Sequence, residues 1–262
     1  MAVSWLAWPG AIAIGISLGL LGSGGSILTV PVLVYLVGQD EKVAIAGSLF
    51  VVGSIALAGS LQYLRLGLID WRNVVIFGLP GMAGTYLGAW IAQFVTGLMQ
   101  LSLFAVVMLL ASYFMLRPVP LDRSPQAVRA AWKIGADGLI VGVVTGLVGV
   151  GGGFLIVPAL VLLGGLPMHR AVATSLFIIA LKSYSGFYKY MDVLDRQSLE
   201  LDWRTLLVVT ALGIGGSMAG GMLAGRLPQA TLKRGFGYFL IVMGAYILWR
   251  SLPGALGMQP GT

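Results

Sequence analysis

Charged residues are absent from long stretches of this chain. None occurs in residues 1–39, in 73–116 or in 205–225. A helix that crosses the hydrocarbon core of a bilayer needs about 20 mainly apolar residues. The stretch 73–116 therefore has room for two such helices and a tight turn. Taken along the whole chain, the pattern predicts eight hydrophobic segments, near 9–38, 43–64, 73–96, 98–116, 135–165, 170–190, 205–225 and 233–250. The expected fold is an all-α polytopic membrane protein.

The two halves of the chain match each other. An offset of 127 positions places Gly15, Gly19, Gly22, Gly24, Gly25 and Pro31 on Gly142, Gly146, Gly149, Gly151, Gly152 and Pro158. It also places Ser48-Leu49-Phe50 on Ser175-Leu176-Phe177 and Tyr63 on Tyr190. Past a five-residue insertion the offset becomes 132, and Asp70-Trp71 meets Asp202-Trp203 while Gly81, Gly84 and Gly88 meet Gly213, Gly216 and Gly220. Apolar composition alone would not align glycines, prolines and an Asp-Trp pair. The reading is a duplication, a common transporter design. It gives a first repeat over 1–117, a charged, proline-bearing linker over 118–133, and a second repeat over 134–262, each repeat with about four hydrophobic segments.

The first segment of each repeat is too long for one simple span. Some 29 residues make about 43 Å of straight helix, against a hydrocarbon core of about 30 Å. Near the middle of each lies a glycine cluster, Gly22-Ser23-Gly24-Gly25 and Gly149-Val150-Gly151-Gly152-Gly153. Glycine disfavours helix and tolerates unusual dihedrals, so a broken or re-entrant helix is expected in both, resuming near Ser26 and Gly153. If all segments span, the distribution of Lys and Arg puts both termini in the cytoplasm. If the first and fifth re-enter, each half crosses three times and the halves are inverted. Charge counting leaves both topologies open.

Composition agrees with a lipid environment. Hydrophobic residues make up 58% and charged residues 10%, with a mean hydropathy of +0.95; soluble domains carry about 25% charged residues. The net charge of +7 fits the excess of basic residues that cytoplasmic loops carry. Those charges sit in short loops rather than in a basic arm or helix, which argues against nucleic acid as a partner. There is no cysteine, which excludes disulfides and thiol chemistry. The residues Met1–Gly10 contain no Lys or Arg, so the first segment is expected to be retained rather than cleaved as a signal peptide.

Candidate chemistry is sparse. A helix broken inside a membrane frees backbone N–H and C=O groups that lipid cannot satisfy, and the helix that resumes presents N–H groups and a positive dipole end suited to an anion. Gly22, Ser23, Gly24, Gly25 and Ser26, with Gly149, Gly151, Gly152 and Gly153, are therefore candidate substrate-binding residues. Close helix packing through small residues is the competing account. Lys182 lies about 11 residues into the sixth segment, near mid-depth, with no carboxylate close in sequence. A charge there costs about 2.5–3.5 kcal/mol and tends to face a cavity or a partner; a snorkelling lysine is the alternative. Ser48 and Ser175 are paired by the repeat and, with Thr174, could replace water around an oxyanion. Ser54, Ser60, Ser183 and Ser185 could do so too, or bond back to their own helix. His169 has no companion ligands for a metal. No cofactor, metal motif or nucleophile–base pair is present, so no enzyme activity is expected. Of the nine acids, only Asp137 borders a hydrophobic segment. A buried proton or sodium relay is therefore not expected.

The stretches Gly19–Pro31 and Gly146–Pro158, the Ala-Val-Ala-Thr-Ser-Leu at 171–176 and the run from Tyr63 to Trp71 resemble the TauE/SafE sulfite exporter family, also called the TSUP family of membrane permeases. The likeness covers about residues 10–250. It implies a multi-pass permease of a bacterial or archaeal cell (inner) membrane, linked to export or uptake of sulfite, sulfonates and related small anions. The glycine breaks of the family map onto Gly22–Ser26 and Gly149–Gly153, and its Thr-Ser onto Thr174-Ser175; Gly47 stands where the first half would have the Thr. Lys182 belongs to no family motif and rests on the physical argument alone. The expected function is secondary transport, in the export direction, of a small organic or sulfur-containing anion. A passive anion channel and a non-transporting accessory protein are the alternatives. The expected partners are that anion and the lipid bilayer, with a homodimer left open.

Overall fold

A computed structural model describes residues 7–21, 25–116, 130–162, 166–224 and 229–255. Gly22, Ser23, Gly24 and most of the linker lie outside the described residues. All of the regular structure described is helical. Helix α1 is Ala7–Leu21 and α2 is Ser26–Pro31, continued by a π turn at Val32–Leu36. Helix α3 is Glu41–Arg65. The short α4, Trp71–Asn73, runs through a π turn at Val74–Gly78 into α5, Leu79–Ile91. Then come α6, Gly97–Leu116, α7, Ala131–Val148, and α8, Gly153–Leu162. The chain continues through α9, Met168–Arg196, α10, Trp203–Ala224, and α11, Gln229–Ala255. Five helical stretches are long and apolar enough to cross a membrane: 41–65, 71–94, 131–148, 170–196 and 203–223.

Local chemistry explains several boundaries. Asp40 caps α3 by accepting from the Lys42 N–H at 3.0 Å, and Asp70 caps α4 by accepting from the Asn73 N–H at 3.0 Å. Asp202 does the same for α10, accepting from the Thr205 N–H at 3.1 Å and from its hydroxyl at 2.6 Å. The Asp-Trp pairs seen in the sequence thus begin helices: the carboxylate satisfies an orphan amide, and Trp71 and Trp203 lie exposed just inside, where an interfacial ring belongs. Pro80 has no N–H to give to the preceding turn, and the helix widens to a π turn just before it.

Large apolar side chains line the outside of the bundle as well as its interior, and several polar groups are buried. Leu57, Leu61, Leu79, Leu110, Ile140, Leu207 and Val242 are exposed, whereas Ser48, Thr85, Gln100, Thr145, Lys182 and Ser183 are buried. Water would penalise such an outer face; lipid does not. Helices α3 and α9 run antiparallel through the middle. Gly53 faces Ser183, the Ser54 hydroxyl bonds the Tyr184 hydroxyl at 2.9 Å, and Gly186 faces Leu49. Helix α1 lies along α10 and α7 along α5, both parallel pairs joined at glycines. Gly15 and Gly19 abut the carbonyls of Gly213 and Ser217, and Gly142 and Gly146 abut those of Gly81 and Thr85. A Cβ at any of these four would overlap the facing oxygen. Helices α6 and α11 pair antiparallel, with the Ser102 and Ser251 hydroxyls 3.0 Å apart.

Neither broken segment continues straight on. A Cβ on Gly10 in α1 would lie 3.1 Å from both Val32 and Leu36, so α2 returns alongside α1. Helix α7 starts beside the π turn that precedes α5, where Gly135 approaches the Ile76 carbonyl. Helix α9 starts at the same end, where Thr174 accepts from the Asp70 N–H at 2.9 Å. Since α7 and α9 begin at one end, α8 must lead back to it. Each pair is a hairpin with both outer ends together, the arrangement that charge counting left undecided.

Candidate functional site

The second glycine cluster forms the tip of its hairpin. Gly149, Gly151 and Gly152 have φ of +76°, +65° and +76°, a left-handed region that an L side chain enters only at a cost. The chain therefore leaves α7 at Val148 and resumes helix at Gly153. Among the described residues, the Gly151 and Gly152 N–H groups make no hydrogen bond. In the first cluster, Gly25 is buried, adopts a right-handed conformation and precedes α2, which begins at the buried Ser26. Helices α2 and α8 touch.

Two side-chain devices hold the second tip. Ser48 Oγ lies 2.7 Å from the Ile45 carbonyl oxygen and also meets the Gly149 carbonyl oxygen. Its one proton serves these two acceptors. The Leu147 carbonyl, left without an intrahelical partner where α7 ends, accepts from Gln100 Nε2 at 2.6 Å and from the Tyr190 hydroxyl at 3.1 Å. Gln100 also donates to the Tyr190 oxygen at 2.8 Å. Both residues are fully buried. Neither was singled out from the sequence. The alignment of Tyr190 with Tyr63 and the polar Gln100 inside an apolar run were the available signals.

The tip reaches the level of the middles of α3 and α9. A Cβ on Gly151 would be 2.6 Å from Ser183 Oγ and 3.0 Å from Val52. Gly53, next to Val52, is the central residue of α3, and Lys182, next to Ser183, is the central residue of α9. Lys182 is completely buried, and its ammonium has no hydrogen-bond partner. Its stem crosses α5 at Gly81, whose Cβ would lie 3.1 Å from Cδ and 3.3 Å from Cε. Ser183 is also fully buried, and its hydroxyl is unpaired. A snorkelling lysine would show its head at the surface; this one does not.

The other hydroxyl candidates have structural partners. Ser175 donates to the Val172 carbonyl at 2.8 Å, and Thr174 is occupied by Asp70, about 12 Å along the helix axis from Lys182. The structure thus brings Gly151 to the level of Ser183 and Lys182, sets Gly149 nearer the start of α3, against Ile45 and Ser48, and leaves Thr174 near the start of α9.

Residues 7–247 match the sulfite exporter TauE/SafE family. Among individual proteins, the chain is 35% identical over 246 residues to a "Probable membrane transporter protein" of Xylella fastidiosa, covering 91% of this chain and 92% of that one. It is 26% identical to a "Probable membrane transporter protein" of Bacillus subtilis, covering 89% and 93%, and 27% identical to one of Methanocaldococcus jannaschii, covering 70% and 72%. No solved structure matches the chain. A match from the first described helix into the last, together with apolar helices fit to cross a bilayer, makes this chain a member of the sulfite exporter TauE/SafE family of membrane transporters.

Proposed function

We propose that this protein is a secondary permease that exports a small sulfur-containing or organic anion, such as sulfite or a sulfonate, across the cell membrane of a bacterium or archaeon. The observation that carries the reading is the Lys182 ammonium, wholly buried at the centre of α9 without a protein partner. An unpaired charge at that depth is costly, and an anion is the partner that would offset it. The glycine tip, which meets the neighbouring Ser183, adds amide donors at that level of α9, and α8 resumes at the tip with its positive dipole end. The family name is that of sulfite exporters, which fits this donor-rich site.

Two inverted repeats supply the route. The reading is supported by packing that recurs under the sequence offsets. Gly15 on Gly213 corresponds to Gly142 on Gly81, Gly19 on Ser217 to Gly146 on Thr85, and Gly216 on Ile12 to Gly84 on Leu139. In this reading α3, α5, α6, α9, α10 and α11 cross the membrane, and the two hairpins enter from opposite faces and meet near the midplane. The face that holds Arg65, Arg72, Lys133 and Arg170 is also where the connections bearing Arg117, Arg123, Arg129 and Arg226 attach. We assign it to the cytoplasm. The start of α1 at Ala7 and the end of α11 at Ala255 then face outside, opposite to the orientation that eight full spans would give. A membrane potential negative inside favours anion exit by about 2.3 kcal/mol per charge per 100 mV, so export requires no buried carboxylate relay.

The test is flux of labelled sulfite in proteoliposomes. A carrier gives efflux that saturates with internal sulfite and accelerates when sulfite is added on the opposite side. Flux linear in concentration and indifferent to the opposite side would refute the carrier.

A further inference from the structure

We infer that Ser183 is a substrate-binding residue: its hydroxyl and the amides of Gly151 and Gly152, which have no acceptor among the described residues, form one subsite for an oxygen of the transported oxyanion. The inference rests on the anion-permease reading and adds a residue and a contact to it. Three observations point to the same spot. Ser183 is completely buried and its hydroxyl is unpaired, whereas a serine inside a helix can readily return its proton to a carbonyl one turn back; Ser48, Ser60, Ser112 and Ser175 all bond such a carbonyl. The hydroxyl is aimed at the break, since a Cβ on Gly151 would come within 2.6 Å of it. And the amides of Gly151 and Gly152, just before the ten-residue α8, have no acceptor among the described residues.

The donor set defines the ligand chemistry. Amides donate only and the hydroxyl can donate; Lys182, one residue before Ser183, has its stem against Gly81 of α5 rather than against the tip and contributes positive charge at the same level of α9. Among the described residues, the side chains nearest the Gly151 position, those of Ser183, Val52 and Ile179, include no carboxylate to repel an anion. Val52 and Ile179 approach the Gly151 position at 3.0 and 3.6 Å, so the wall beside the subsite is apolar and the space small. A compact oxyanion whose terminal oxygens accept several donors fits; a bulky or cationic solute does not. A side chain at position 151 would crowd the Ser183 hydroxyl and Val52 and would strain a backbone at φ +65°, so glycine there serves both the turn and the approach of Ser183.

The test uses purified full-length protein, titrated with sulfite while its thermal unfolding and heat of binding are followed, for the parent, Ser183→Ala and Ser175→Ala. The expected result is that Ser183→Ala weakens sulfite binding at least tenfold, leaves the unfolding temperature of the ligand-free protein unchanged or raised, and is not matched by Ser175→Ala. A serine with only a structural role would instead lower that temperature and leave affinity alone. Sulfite binding within twofold of the parent in Ser183→Ala overturns the inference while leaving the permease reading intact. A parent that binds no sulfite, thiosulfate or sulfoacetate overturns both. Gly151→Ala provides a second variant: unchanged sulfite affinity there also overturns the subsite.

Discussion

Replacing Lys182 with methionine separates what the lysine costs the empty protein from what it contributes to binding. Methionine keeps the length and most of the volume of the stem that packs against Gly81 at 3.1 and 3.3 Å, so the helix contact survives and only the ammonium goes. That ammonium is fully buried and unpaired, and a charge at the bilayer centre costs about 2.5–3.5 kcal/mol. Its removal should therefore stabilise the ligand-free protein, by up to about 3 kcal/mol, seen as a rise of several degrees in unfolding temperature. With ligand the sign reverses. A hydrogen bond to a charged group contributes about 1.5–3 kcal/mol, and each 1.4 kcal/mol is about tenfold in affinity. Sulfite should bind Lys182→Met roughly ten to one hundred times more weakly. Both quantities come from one thermal-shift titration with sulfite, thiosulfate and sulfoacetate. An unfolding temperature that falls, with affinity unchanged, would mean that Lys182 is held by the protein rather than kept for a ligand, and the site argument would fail.

The brace behind the tip should behave differently. Tyr190→Phe removes one of two donors to the Leu147 carbonyl and should destabilise by about 1 kcal/mol; Gln100→Leu removes the shorter bond and should cost more, about 1–3 kcal/mol. Unfolding of the ligand-free protein measures both, and equal stability to the parent would show that the tip does not depend on them. At the membrane edge, Asp202 is held below its usual carboxyl range by the Thr205 hydroxyl and amide, in that order. A depressed carboxyl adds stability that is present above its unfolded value near 3.8 and lost as pH falls through its lower folded value. Asp202→Asn should lower stability at neutral pH, where the charged carboxylate contributes, and converge with the parent in acid, which an unfolding series from pH 7 to pH 2 would show; a deficit that stays constant across the series would refute the linkage.

How much of this was legible in the sequence differs by feature, for physical reasons. The helical stretches were readable because lipid demands apolar side chains whatever the tertiary fold. The expected 43–64 lies inside α3 at 41–65, and 205–225 overlaps α10 at 203–224. The direction of the chain after each break was not readable, since hydropathy measures length and not heading; it took the contact of Gly10 with Leu36 to fix one fold-back. The Asp-Trp pairs were legible as a recurrence but not as helix caps, because capping depends on where the backbone turns. The hydroxyls were the least legible. Ser48, Ser175 and Ser183 look alike in sequence, and only the coordinates show that the first two spend their proton on carbonyls while the third does not. Thr174 shows the converse: its motif was evident, and its hydroxyl turns out to accept from Asp70.

The proposed duplication also explains why one charge is enough. Under the repeat offset Lys182 corresponds to Ile55, and the two occupy equivalent places: Lys182 lies against Gly81, and Ile55 lies against Gly213. The backbone scaffold is thus doubled while the charge is not. Two lysines facing each other at mid-depth would repel and would double a desolvation cost that the empty protein must already bear. Two anions bound there would repel as strongly. In the proposed function a single ammonium with the donors of one glycine tip would hold one small anion, and because that anion would neutralise the lysine, the loaded site would be cheaper to keep in a low dielectric than the empty one. A permease of the proposed kind would change conformation most readily when occupied, so coupling of substrate to movement would follow from the electrostatics of one side chain.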